Sequence, residues 1–161
     1  LWAFHDDETS PGAMWGWVPW QKAVELDGGR HVGIAAQYLR SIQWEGFTPS
    51  PHSLNLTGNP SNPFRPWAAK SGDNLVVYFP AVCMAPASIG ISIELSTVKF
   101  QNLLPNQKYT LEIIDPRSGK LTRNEKVLTD HSGEWIFKGS NFVSPLPTME
   151  DWIVNLKRVN G

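Results

Sequence analysis

The spacing of hydrophobic and polar positions changes along this chain. Between Asp27 and about Gln43, Val32, Ala35, Leu39 and Ile42 recur at intervals of three and four, the period of one helical face. Tyr38 lies beside that stripe, and Arg30, Gln37 and Arg40 fall elsewhere on the helix. The spacing predicts one amphipathic helix, with Asp27 placed to cap its free N–H groups. Gly28, Gly29 and Gly33 each lower its intrinsic propensity by up to ~1 kcal/mol. Such a helix needs a surface to pack on, either the rest of this chain or an upstream domain.

Beyond residue 66 the period falls to two. Ile89, Ile91, Ile93 and Leu95 alternate with Gly90, Ser92 and Glu94, as Tyr109, Leu111 and Ile113 do with Thr110 and Glu112. That is the pattern of strands with one buried face. Asn74 to Phe79 is nearly continuously apolar, as a central strand would be. Strands are expected near 67–70, 74–80, 89–95, 108–114, 120–128, 134–138 and 151–158. Asp115-Pro116-Arg117-Ser118-Gly119 separates two of them with hairpin chemistry, since Pro presets φ and Gly accepts a positive φ. Short strands, frequent turns and no intervening helices predict a mainly β fold, an antiparallel β-sandwich. Pro49, Pro51, Pro60, Pro63 and Pro66 predict an irregular linker with no ladder pairing. The organisation expected is a Trp-rich loop and helix over 1–48, a linker over 49–66 and a sandwich over 67–161.

The 161 residues carry a formal net charge of -1. Neither sign is in excess and no basic run occurs, so no nucleic-acid partner is expected. No stretch of apolar residues is long enough to span a bilayer. A single cysteine, Cys83, rules out an intrachain disulfide and reads as a small buried hydrophobe. His5, His31, His52 and His131 are scattered, and no zinc spacing, phosphate-binding glycine loop or nucleophile elbow is present. Neither a metal, a cofactor nor a catalytic residue is therefore expected. His5-Asp6-Asp7-Glu8 is contiguous, so its side chains splay apart as in a solvated loop rather than facing one another across a cleft. Asn55-Leu56-Thr57 is an N-glycosylation sequon.

Tryptophan is the compositional anomaly: there are eight, five of them before residue 50. The three in Trp15-Gly16-Trp17-Val18-Pro19-Trp20 form either a hydrophobic plug between domains or the wall of a saccharide subsite. The opening Leu1-Trp2-Ala3-Phe4 lacks a Met or a charged leader, which reads as the middle of a longer polypeptide.

Four stretches together resemble a known family. Leu1-Trp2-Ala3-Phe4 is similar to the end of an eighth barrel strand and the loop after it. Trp20 through Trp44, with Leu26-Asp27-Gly28-Gly29 leading into Tyr38-Leu39-Arg40-Ser41-Ile42, is similar to a final barrel helix. Ile114-Asp115-Pro116-Arg117-Ser118-Gly119 resembles the family's Asp-Pro-Arg-Thr-Gly turn, and Asp151-Trp152-Ile153-Val154-Asn155-Leu156 its closing strand. The family is that of glycoside hydrolases with an apiosidase-like (β/α)8 barrel followed by a C-terminal β-sandwich commonly labelled collagen-binding. The resemblance implies that this chain is the C-terminal part, with the N-terminal barrel domain as its missing partner. The family's acid and base carboxylates lie on earlier barrel strands, so none is carried over. Trp2, Phe4, His5, Trp15 and Trp17 occupy the loop after the eighth strand and are the expected substrate contacts, with polysaccharide or another glycan as ligand. A secreted location, extracellular or periplasmic, is implied. The chain departs from the family pattern over 80–88 and 141–148. The alternatives are a stand-alone β-sandwich binding matrix protein or polysaccharide, and a structural subunit assembling through exposed strand edges.

Overall fold

Alternating side chains dictate how the strands stack. A computed structural model of the chain describes residues 25–56, 66–80, 97–138 and 150–159. Helix α1 (Asp27–Ser41) is followed by β1 (Thr48–Pro49), β2 (Leu54–Leu56), β3 (Trp67–Ser71), β4 (Asn74–Phe79), β5 (Thr97–Phe100), β6 (Lys108–Ile114), β7 (Leu121–Leu128), β8 (Trp135–Lys138) and β9 (Trp152–Arg158). Among the described residues these strands make two antiparallel sheets, one ordered β1-β3-β4-β9-β6-β7 and the other β2-β5-β8. The fold is the expected mainly β, antiparallel sandwich.

The core lies between the sheets. Leu75, Val77 and Phe79 of β4, Tyr109, Leu111 and Ile113 of β6, and Trp152, Val154 and Leu156 of β9 are all buried. Register aligns them, with Val154 opposite both Val77 and Ile113. The smaller sheet contributes Val98, Phe100 and Phe137, with Leu54 and Trp135 packed at the margin. Trp135 stacks on Phe100 and Phe137 with centroids 5.4 and 5.3 Å apart, within the favourable range for aromatic pairs. At the start of β6 the Leu104 N–H donates to the Tyr109 hydroxyl at 3.1 Å, an arrangement like the tyrosine corner of immunoglobulin-type sandwiches. The buried Thr129 hydroxyl fastens the same loop, donating to Leu104 O at 2.6 Å and accepting from the Gln107 N–H at 2.9 Å.

Three local expectations change. The Pro-rich segment is not free of ladder pairing, because Pro49 of β1 sits opposite Ala69 and Leu54–Leu56 runs along Val98–Phe100. Both are edge strands, where a missing Pro N–H leaves no partner unsatisfied. Asp27 is not the cap: Leu26 holds that position, and the Asp27 carboxylate accepts from Arg30 at 3.2 Å. It still stands in the first turn, where a negative charge meets the positive end of the helix dipole. Thr97–Phe100 is an additional strand, whereas the Ile89–Leu95 alternation lies outside the described residues, as do Cys83 and the Met14, Met84 and Met149 side chains.

Two substitutions test this packing in chemical denaturation. Trp152, 4% exposed, should cost about 3–5 kcal/mol when changed to Ala; a loss below ~1 kcal/mol would move it to the surface. Gly133 has φ +73°, and a Cβ there would lie 2.1 Å from the Leu103 carbonyl oxygen. Gly133→Ala should lose at least about 1–3 kcal/mol from the left-handed backbone alone, with a further loss as the Leu103 loop shifts.

Candidate functional site

The outward positions of β6 and β9 are not simply solvent-facing. Glu112, Ile114, Asn155 and Lys157 lie beneath α1 and line, with Ile34 and Gln37, a cleft of about 300 Å³. A second cleft of about 310 Å³ lies toward β4, bordered by Phe47, Asn74, Val76 and Arg158. Ser41, Ile42, Asn155 and Lys157 border both.

Asn155 is the centre of this seam. It is 1% exposed, and its neighbours in register are Val76 and Glu112. A buried amide must be hydrogen-bonded or it destabilises the fold. The Tyr38 hydroxyl donates to Asn155 Oδ1 at 2.5 Å, and Asn155 Nδ2 donates to Glu112 Oε2 at 3.2 Å. Lys157 Nζ meets the same carboxylate oxygen at 2.8 Å, so the charge beneath the helix is balanced. Burial pushes the Tyr38 phenol well above its ordinary pKa; the Asn155 hydrogen bond works against that rise, and the Glu112 charge adds to it.

The hairpin turn supports the other end of the seam. Arg117 donates to Asp115 Oδ1 through its backbone N–H at 2.9 Å and its Nε at 3.0 Å, and the Ser118 hydroxyl donates to Oδ2 at 3.0 Å. Desolvation alone would raise the Asp115 pKa, but these donors outweigh it and hold the carboxyl below its ordinary value. Arg117 also pairs with Glu150. Gly119 closes the turn at φ +70°, and a Cβ there would come within 3.2 Å of the Ile34 side chain. Arg30 Nη1 donates to the Arg117 carbonyl at 3.3 Å. The turn thus serves as a stop against which α1 rests.

The helix packs on the sheet through Ile34 and Tyr38, and the stripe predicted from spacing faces mostly the other way. Val32 and Leu39 are 61% and 41% exposed, and Ala35 is exposed too. Ile42 turns toward the clefts. Trp2, Phe4, His5, Trp15 and Trp17 lie outside the described residues, as does the rest of the acidic segment around His5. His31 sits beside the Arg30 guanidinium, and the His52 carbonyl accepts from the Gln101 and Asn102 side chains at 2.8 Å each. Among the described residues no group of three or more His, Cys, Asp or Glu side chains is placed to hold a metal ion. No helix there is long and apolar enough to cross a membrane. Sequence reasoning missed Asn155, whose signal is a polar residue, disfavoured in strands, in the middle of an otherwise apolar run.

Tyr38→Phe should lower stability by about 1–3 kcal/mol, because it leaves the buried Asn155 Oδ1 unpaired. The raised Tyr38 pKa also sets a pH dependence. A phenol that keeps its proton more tightly when folded contributes stability fully present below the unfolded value of about 10 and lost as pH rises beyond it. The alkaline loss of stability should therefore be shallower in Tyr38→Phe than in the parent, measured by denaturation at a series of pH values. Equal slopes would show that the phenol is not held neutral by this seam.

No protein-family model matches this sequence, and no curated protein matches it. Similarity appears in three dimensions. A solved structure described as a glycoside hydrolase superposes with a TM-score of 0.62 at 14% identity, over 94% of this chain and 30% of its own. A glycoside hydrolase family 5 protein from Bacteroides vulgatus ATCC 8482 gives a TM-score of 0.56 at 14% identity, over 86% of this chain and 26% of its own. The chain spans less than a third of either neighbour's length. At this identity the likeness is one of fold: the architecture seen here recurs within larger proteins that bear the name glycoside hydrolase.

Proposed function

We propose that this chain is the C-terminal, non-catalytic portion of a secreted, carbohydrate-active glycoside hydrolase, in which the sandwich braces a catalytic (β/α)8 barrel. One observation carries the reading: α1 is apolar on two sides. Ile34 and Tyr38 hold it to the sheet, while Val32, Ala35 and Leu39 face away from the sandwich and are exposed. A helix apolar on both flanks is the usual sign of an element between two layers. Covering Val32 and Leu39 would contribute about 1.5–3 kcal/mol each. The outer layer is the barrel, with α1 as its last helix, as the sequence resemblance to apiosidase-like enzymes implies. The partial coverage of the two structural neighbours supports the same arrangement.

On this reading the acid and base carboxylates belong to the barrel, and Trp2, Phe4, His5, Trp15 and Trp17 would contribute contacts to a polysaccharide from the loop before α1. A stand-alone binding module would leave the outward face of α1 without a role. The collagen-binding label attached to related sandwiches is a fold-level association and does not establish a ligand.

The purified 1–161 chain should bind an apolar dye and self-associate, and Leu39→Glu combined with Val32→Glu should abolish both. These are surface changes and should alter folding stability by no more than ~0.5 kcal/mol each. A strictly monomeric, dye-silent parent chain would count against the bracing role. The chain alone should hydrolyse no plant or matrix polysaccharide, and one clean turnover would overturn its assignment as non-catalytic.

A further inference from the structure

We infer that the two clefts under α1 form one groove that binds a segment of a neutral oligosaccharide. The inference deepens the proposed function and rests on it for the class of ligand, but its residues are distinct from the Trp-rich loop and from the outward face of α1.

A buried donor motivates it. Asn155 Nδ2 carries two hydrogens, and one of them is taken by Glu112. The second has no partner among the described residues, although the side chain is 1% exposed and borders both clefts. An unmade hydrogen bond on a buried group is costly, so the groove is suited to an incoming acceptor such as a sugar hydroxyl.

Charge narrows the ligand. Glu112 is paired with Lys157 at 2.8 Å, and Arg158 with Asp73 at 2.7 Å. Every cation of the groove thus has a carboxylate beside it, which disfavours a phosphate or uronate and leaves a neutral ligand. The walls match the two aspects of a sugar. Ile34, Ile42, Ile114 and Phe47 offer apolar surface to ring C–H faces, and Gln37 and Ser41 stand at the rim with amide and hydroxyl groups. Each lobe is at the lower end of the ~300–1,000 Å³ typical of ligand clefts. Two lobes joined at Asn155 suit an extended ligand of more than one unit better than a single compact molecule.

The test is titration of the isotope-labelled 1–161 chain with cellohexaose, xylohexaose, mannohexaose and, as an anionic probe, polygalacturonate, reading side-chain amide resonances by NMR. At least one neutral hexasaccharide should move the Asn155 and Gln37 amide signals with roughly millimolar affinity. Gln37→Ala, at an exposed position with no printed structural partner to lose, should weaken that response about threefold to tenfold. Val76→Phe, which fills the second lobe, should weaken the hexasaccharide more than the matching disaccharide. No response to any neutral sugar, a stronger response to polygalacturonate, or shifts indifferent to both variants would each overturn the inference. Leu39→Glu separates the two proposals. If it abolishes dye binding while no sugar response exists in the parent, the groove fails and the bracing role stands. If sugar shifts persist in a chain that never bound dye, the bracing role fails and the groove stands.

Discussion

Strand β9 is covered on both faces, and the rest of the fold depends on that. Its inward residues Trp152, Val154 and Leu156 fill the core, and its outward Asn155 is sealed under Tyr38. It also stands between β4 and β6, so the two halves of the larger sheet meet only through it. A slip of one residue would carry Asn155 into the core and the leucine and valine out to the helix, since side chains alternate strictly along a strand. Both faces oppose such a slip. The register that places Val154 between Val77 and Ile113 is therefore the same register that places Asn155 between Val76 and Glu112.

The seam above β9 follows different physics from the core below it. Between the sheets, contact is apolar and close-packed, which gives stability without much direction. Between sheet and helix, the Tyr38–Asn155–Glu112–Lys157 chain fixes one orientation through hydrogen bonds whose loss is costly, while contributing modest net stability. The hairpin turn adds a steric limit where Gly119 meets Ile34 and Arg30 reaches the Arg117 carbonyl. A seam specified by a few polar contacts need not be filled throughout. That is why space remains on either side of the Tyr38 contact.

The strands were legible where alternation ran over several residues. Tyr109, Leu111 and Ile113 marked β6, and the Asp115–Gly119 turn marked the hairpin it makes with β7. β5 was not, because Thr97-Val98-Lys99-Phe100 has only two apolar positions and a period cannot be read from two points. β1 and β2 were obscured by prolines, whose penalty vanishes at a sheet edge. The helix was visible in its spacing, but the face it turns to the sandwich was not. Spacing ranks residues by hydrophobicity, whereas this contact is made by an isoleucine and a tyrosine held through its hydroxyl. The groove was illegible for the same reason: Gln37, Glu112 and Asn155 are distant in sequence and ordinary in type, and only pairing of β6 with β9 under α1 brings them together.

The two flanks of α1 differ in kind, and that difference bears on how the proposed enzyme is assembled. Its outward flank, Val32, Ala35 and Leu39, is suited to a dry contact that excludes water and contributes in proportion to area. Its inward flank reaches the sandwich through a hydrogen-bonded polar network bordered by open clefts. On the proposed reading, α1 is energetically part of the barrel, and the sandwich is fitted to it by contacts that set direction more than affinity. A domain attached in that way holds a defined angle to the catalytic unit while leaving space at the joint. Space at a joint between domains, lined with balanced charge and a buried donor, is where a glycan segment leaving an active site can be held without competing for the catalytic cleft.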